Sequence, residues 1–224
     1  MWLLCVGQSN AANSGENPRG IQVNVFNYFD GKVYPAKDPL LGATGRGSNV
    51  WTALGTELVR RKLAAKVVLV PFAVGGTSIE RWQPNERVGQ RLSEILSILR
   101  ADKIHVDFVL WEQGESDDNL SSLEYSQRLL RVKGIFSVSG QNAPMIVALA
   151  SRKRSGILPE VRRGQQMAAE LVPCVFPGPD ADSVFGPKAR PEGIHFSTFG
   201  QDQLAVMWAD SIQNALSKQR RCGS

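Results

Sequence analysis

Trp2-Leu3-Leu4-Cys5-Val6-Gly7-Gln8-Ser9-Asn10 decides the fold of this 224-residue chain. Trp2 to Val6 is apolar without a break, the pattern of a strand covered on both faces. The run passes straight into Gly7-Gln8-Ser9-Asn10, which puts Ser9 at the carboxyl end of a sheet strand. Open α/β sheets carry their chemistry at that end.

The same grammar repeats downstream. Lys66 to Pro71 is a second apolar strand, and Gly75-Gly76-Thr77-Ser78 follows it. Val106 to Trp111 leads into Glu112-Gln113-Gly114-Glu115-Ser116-Asp117. Met145 to Ala150 and Cys174 to Phe176 complete a set of five strands. Helical spacing separates them. Asn49 caps a helix to Lys62, Val88 to Leu99 marks the next, Ser121 and Glu124 form a capping box, and Pro159 opens another. Thr198 with Gln201 is a second capping-box pattern before Leu204, Trp208 and Ile212. Val25–Phe29 and Lys32–Tyr34, joined by Asp30-Gly31, make a small hairpin. The expected fold is α/β, a single three-layer α/β/α sandwich on a mostly parallel five-stranded sheet. One domain over residues 1–217 and a basic, flexible tail over 218–224 account for the chain.

Composition narrows the function. Apolar residues are 42% and charged residues 21%, which excludes a disordered chain. The net charge of +5 is spread over short clusters such as Arg60-Arg61-Lys62 and Arg152-Lys153-Arg154, with no nucleic-acid-binding module. No apolar segment is long enough to span a membrane. Cys5, Cys174 and Cys222 lack the spacing of a zinc site or redox pair and read as buried thiols of a reducing compartment. No secretory leader precedes Trp2, so the expectation is a cytoplasmic protein, or a secreted one if the sequence is a trimmed form.

A serine hydroxyl becomes a nucleophile only beside a base, which an acid orients. The chain has two histidines. His105 precedes a strand and lies at the wrong sheet end, so it is read as structural or exposed. His195 lies in the loop before the last helix, three residues after Glu192, and is the expected base. Glu192 is the expected acid, with Asp180 and Asp182 as alternatives. Oxyanion donors are expected from the N–H of Ser9, from Gly75 or Gly76, and from the Gln113 amide. Gln8, Asn10, Gly75 and Glu115 are expected to support the loops around Ser9. Trp82 and Arg81 are candidate pocket residues, as are Trp111 and the Arg152-Lys153-Arg154 cluster. Together these residues spell ester hydrolysis through an acyl-enzyme.

Gly7-Gln8-Ser9-Asn10, Gly75-Gly76-Thr77-Ser78, Gln113-Gly114-Glu115-Ser116-Asp117 and His195-Phe196-Ser197 together resemble the SGNH (GDSL-like) hydrolase superfamily. More narrowly they look like its sialate O-acetylesterase and acetylxylan-esterase-like branch. The resemblance covers about residues 2–216. It implies a flavodoxin-like fold, Ser9 as nucleophile, His195 as base, and oxyanion contacts from Ser9, Gly76 and Gln113. It also implies removal of acetyl groups from carbohydrate hydroxyls with no metal or other cofactor. Two positions depart from the pattern: Glu192 stands where the family has aspartate, and Ala11 where the branch commonly has methionine. An O-acyltransferase and a non-catalytic glycan-binding derivative are the competing readings on the same scaffold. The identity of the acetylated sugar and the oligomeric state stay open.

Overall fold

Strand β1 (Trp2–Gly7) is the centre of the computed structural model, which describes residues 1–218. Its side chains alternate between two cores. Leu3 and Cys5 point to one face of the sheet and Leu4 and Val6 to the other, and all four are fully buried. That alternation is the period of a pleated strand, and burial on both sides explains the unbroken apolar run.

β1 pairs in parallel with β4 (Val67–Ala73) on one side and with β5 (Phe108–Glu112) on the other. β6 (Met145–Leu149) and β7 (Val175–Asp180) extend the sheet beyond β5, also in parallel. Helices α1 (Val50–Arg60) and α5 (Thr198–Lys218) cover one face, where Trp51 and Trp208 pack with ring centroids 5.4 Å apart. Helices α2 (Arg87–Ala101), α3 (Ser122–Val138) and α4 (Pro159–Leu171) cover the other. The result is the expected three-layer α/β/α sandwich.

The strand count differs from expectation. Among the described residues the sheet has seven strands, not five, in the order β3 (Lys32–Pro35), β2 (Val25–Phe29), β4, β1, β5, β6, β7. The Asp30-Gly31 hairpin is no separate appendage. Its first strand, β2 (Val25–Phe29), pairs in parallel with β4, and its second, β3 (Lys32–Pro35), closes the edge antiparallel. Asp30 and Gly31 both have positive φ, at 50° and 76°, as a two-residue hairpin turn requires. Val25 is the anchor: it is fully buried, and its Cγ1 lies 2.5 Å from where a Cβ on Gly55 of α1 would sit. A glycine at that helix position is what allows α1 to lie close over β2.

Asn49 caps α1 by accepting from the N–H groups of Trp51 and Thr52, and Ser121 and Glu124 form the capping box of α3. The cap of α5 falls one residue earlier than expected. Ser197 Oγ accepts from the Gly200 N–H at 3.2 Å, while Gln201 turns its side chain to Arg19. Cys5 is a free buried thiol, but Cys174 is held in a disulfide, so among the described residues the expectation of buried thiols holds for Cys5 and fails for Cys174. Lys218, the first residue of the expected tail, is the last described residue and belongs to α5. The remainder of the expected tail, with Cys222, lies outside the described residues.

The crowding at the end of β1 is severe. A Cβ on Gly7 would lie 1.9 Å from the backbone oxygen of Glu112. Gly7→Ala is expected to lower the unfolding free energy by about 2–4 kcal/mol, because backbone on both sides must move. Urea titration of the variant against the parent protein checks it.

Candidate active site

Gly7 brings β1 against β5 and the chain then turns. The Gln8 N–H donates to Glu112 O at 3.1 Å and the Val74 N–H to Gly7 O at 2.9 Å, so the neighbouring strand ends hold the turn from both sides. Ser9 begins a single 3₁₀ turn through Ala11. Ala11 is fully buried, and its carbonyl accepts from Trp51 Nε1 at 2.7 Å. Ser9 is thus carried on a rigid stub of backbone. Asn10 faces inward, where its Nδ2 donates to Glu115 Oε1 at 2.7 Å and to Ile194 O at 3.4 Å.

The loop after β4 faces Ser9. A Cβ on Gly75 would stand 3.8 Å from Ser9 Cβ, and the Gly75 N–H donates to Thr44 Oγ1 at 2.8 Å. Gly76 has φ of +70° and open space around it. Gln113 takes a different place from the one expected. It is fully buried below the cleft, and its Nε2 donates to Thr77 O at 3.0 Å, to Gln8 Oε1 at 3.2 Å and to Asp117. Its Oε1 accepts from the Tyr125 hydroxyl at 3.0 Å. The amide hydrogens are occupied in tying three loops together. Asp117 completes the tie by accepting from the Ile79 N–H at 2.9 Å.

His195 approaches from the loop before α5. Gly193, with φ of +84°, reverses the chain so that Glu192 lies back over the imidazole. Glu192 Oε1 is hydrogen-bonded to His195 Nδ1 and accepts from the His195 N–H at 3.3 Å. Arg154 lies beside the other carboxylate oxygen at 3.6 Å, and its Nε donates to Glu192 O at 3.2 Å. Burial pushes the Glu192 carboxyl up, but His195 and Arg154 outweigh it and hold the group below its ordinary range.

The two alternative acids are committed elsewhere. Asp180 takes both arms of Arg162, at 2.7 and 2.9 Å. Asp182 accepts from the N–H groups of Ser151 and Arg152, both at 2.9 Å, and from Ser151 Oγ at 2.7 Å. Asp182 therefore shapes the loop after β6, the loop that carries Arg154.

Ser9, Gly75, Gly76, Glu115 and His195 line one cleft of about 650 Å³ at the carboxyl ends of β1, β4, β5 and β6. Gln8, Ser14, Ser116, Ile194 and Arg152 to Ser155 complete its wall. Trp82 is not among them. It is fully buried between Phe72 and Trp111 in edge-to-face contacts, with Nε1 on Thr77 Oγ1 at 3.0 Å. Trp111 is core for the same reason. Arg81 is exposed outside the cleft, 3.6 Å from Glu86. The wall's cations are Arg152, Lys153 and Arg154 of the loop after β6, the cluster expected to line the pocket. Lys153 pairs with Asp118 at 2.6 Å, and Arg152 stacks over Phe185 at 4.0 Å. His105 is exposed, away from this cleft. A larger groove, about 880 Å³, runs between α2 and α3, and its lining includes no histidine or carboxylate.

Buried acids lie under the cleft floor. Burial raises the Glu115 carboxyl and lifts Glu112 to about 8, with the Glu115 charge adding to the effect on Glu112. Glu112 Oε2 accepts from Trp208 Nε1 at 3.3 Å.

A serine on a strand-end turn, a histidine bonded to a carboxylate at its far nitrogen, and a glycine loop facing the serine define a hydrolase of the SGNH (GDSL-like) superfamily. The chain belongs to the family described as "Carbohydrate esterase, sialic acid-specific acetylesterase", whose model matches residues 1–214. It is 28% identical over 152 residues to the probable carbohydrate esterase At4g34215 of Arabidopsis thaliana. That match covers 66% of this chain and 56% of the relative, so it spans little more than half the relative's length. The solved structure of the Arabidopsis protein superposes with a TM-score of 0.76 at 21% identity, over 95% of this chain and 97% of that one. The structure of NanS superposes with a TM-score of 0.70 at 14% identity, over 97% of each chain. XAC1771, a carbohydrate acetylesterase from Xanthomonas citri, gives 0.63 at 15% identity, over 95% of this chain and 55% of that one. At these identities the superpositions establish the fold. Among the described residues no helix is long and apolar enough to cross a membrane.

The buried carboxyl of Glu112 has a consequence for stability. Its folded value of about 8 stands above the ordinary carboxylate value of 4.5. Between those limits the folded protein retains a proton that the unfolded chain has released, so stability falls as pH rises through that window. Glu112→Gln removes the titration. Its melting temperature is expected to rise relative to the parent protein as pH increases from about 5 to about 8. Thermal melts at stepped pH check this.

Proposed function

We propose that the chain hydrolyses O-acetyl esters on carbohydrates, with Ser9 as nucleophile, His195 as base and Glu192 as the orienting acid. The observation that carries this reading is the bond of Glu192 to His195 Nδ1, made while His195 and Ser9 line one cleft. Glu192 fixes the tautomer, which frees Nε2 to take the Ser9 proton. Ser9 Oγ attacks the acetyl carbonyl. The oxyanion forms against the N–H groups of Ser9 and Gly76. Collapse expels the sugar hydroxyl, protonated by His195. Water, deprotonated by the same imidazole, then attacks the acetyl-enzyme; the Ser9 Oγ–acyl bond breaks, His195 returns the proton to Ser9 Oγ, and acetate leaves. Gln113 serves this geometry through the loops it ties together. The family's description as an acetylesterase favours a small acyl group, and the missing side chain on Gly75 leaves space for it beside Ser9.

Ser9→Ala and His195→Ala are each expected to reduce kcat by roughly 10³-fold or more with the fold retained. Acetate release from p-nitrophenyl acetate and from a panel of acetylated sugars measures it, and undiminished turnover by S9A would sink the reading. The acid is identified by a second pair of variants. E192A is expected to lower kcat on the order of 100-fold or more at unchanged melting temperature. D182A is expected to lower the melting temperature, because it strips four hydrogen bonds from the loop after β6 and its Arg162 partner.

A further inference from the structure

Arg190 is an uncommon side chain for its position. It is 3% exposed, four residues before Ile194, and lies under the loop that carries His195. Each guanidinium nitrogen donates to a different backbone carbonyl. Nε reaches Val184 O at 2.9 Å, one terminal nitrogen reaches Ala181 O at 2.8 Å, and the other bonds Ile194 O. The guanidinium plane stacks on Phe196 at 3.6 Å. Ile194 and Phe196 flank His195, so Arg190 grips the backbone on one side of the imidazole and a ring on the other.

Ile194 O is also where Asn10 Nδ2 arrives, at 3.4 Å. The Ser9 turn and the His195 loop, 184 residues apart in sequence, thus meet at one carbonyl with two donors. Asn10 makes its second bond to Glu115 Oε1, and the buried carboxylates of Glu115, Glu112 and Asp182 all act electrostatically on the Arg190 charge. Burial pulls the Arg190 value down and these acids oppose it. A buried cation in such a setting is retained only with its hydrogen bonds and counter-charges satisfied.

We infer that Arg190 is a positioning residue of this site: acting through the Ile194 carbonyl that it shares with Asn10, it sets where the His195 imidazole stands relative to Ser9. The inference rests on the roles of Ser9 and His195 proposed above. It needs a planar fork. A lysine has one nitrogen on a flexible stem and cannot hold three carbonyls from two segments.

The test uses R190K and N10A in the full chain. R190K is expected to lower kcat on the order of 100-fold with KM changed less than about threefold, the result of a displaced base and not of a lost substrate contact. The protein contains only two histidines, so ring-proton NMR reads His195 with exposed His105 as the internal control. The His195 signals are expected to shift in R190K while those of His105 stay. A folded R190K with parental kcat and unmoved His195 signals overturns the inference. If R190K does not fold, N10A decides, because it removes the other donor to the same carbonyl: shifted His195 signals support the shared tie, unmoved ones overturn it. Repeating the spectra in an S9A background keeps this result separate from the acyl-enzyme reading, whose failure would show in turnover alone.

Discussion

The backbone of Gly7 lies against the carbonyl of Glu112, closer than any side chain permits, and the cleft depends on that contact. β1 is the middle strand of the sheet and runs parallel to both neighbours, so its end is flanked by the ends of β4 and β5. Because Gly7 has no Cβ, the three ends close up instead of splaying. Gln8 then bonds back to Glu112 O, Val74 bonds to Gly7 O, and Ser9 leaves the sheet at a defined angle. The loops after β4 and β5 are brought near enough for one side chain, Gln113, to reach both Thr77 and Gln8. A chain of short contacts therefore runs from one missing methyl group to the facing of Ser9 and Gly75.

This arrangement concentrates polar groups where the sheet is driest. Glu112, Glu115, Gln113 and Asp117 are all buried beneath the cleft. Burial of a carboxylate costs stability unless charge and hydrogen bonds compensate. Asp117 is compensated by Gln113 and the Ile79 N–H, Glu115 by Asn10 and Glu112 by Trp208 Nε1, and the field of Arg190 acts on both glutamates. Burial outweighs the compensation at all three: Asp117 is lifted to about 6 and Glu112 to about 8, and Glu115 is raised as well. The site spends stability in the floor to hold the loops above it rigid.

What could be read from the sequence divides along physical lines. β1, β4, β5 and β6 were legible because strands buried on two faces are apolar throughout, and a turn motif at each carboxyl end marks the sheet end in use. Glu192 and His195 were legible because three residues of one loop can make their contact alone. Whether β2 and β3 enlarge the sheet was not legible, since it turns on Val25 docking over Gly55, a contact between segments that local patterning does not encode. Trp82 failed as a pocket residue for a related reason. An indole after a glycine loop looks the same in sequence whether it faces a cleft or a core, and here Phe72 and Trp111 enclose it. Gln113 shows the subtler limit: its position at a strand end was right, yet an amide's direction is set by its acceptors, and Thr77 O, Gln8 and Asp117 all lie below.

Asp180 and Asp182, the alternative acids, account for how Glu192 is held in place. Asp182 is drawn into the turn of Ser151 and Arg152, and Arg162 bridges it to Asp180. Fixed in this way, the loop after β6 presents Arg154 to Glu192, with Nε on the main-chain carbonyl and a terminal nitrogen beside the free carboxylate oxygen. A longer acid has an extra torsion, and an unguided side chain would scatter over several rotamers. Gripped at one oxygen by His195 and flanked at the other by Arg154, Glu192 has that freedom removed from outside. The acidic residues of the preceding loop thus reach the imidazole at second hand: they build the wall that holds Glu192 against His195.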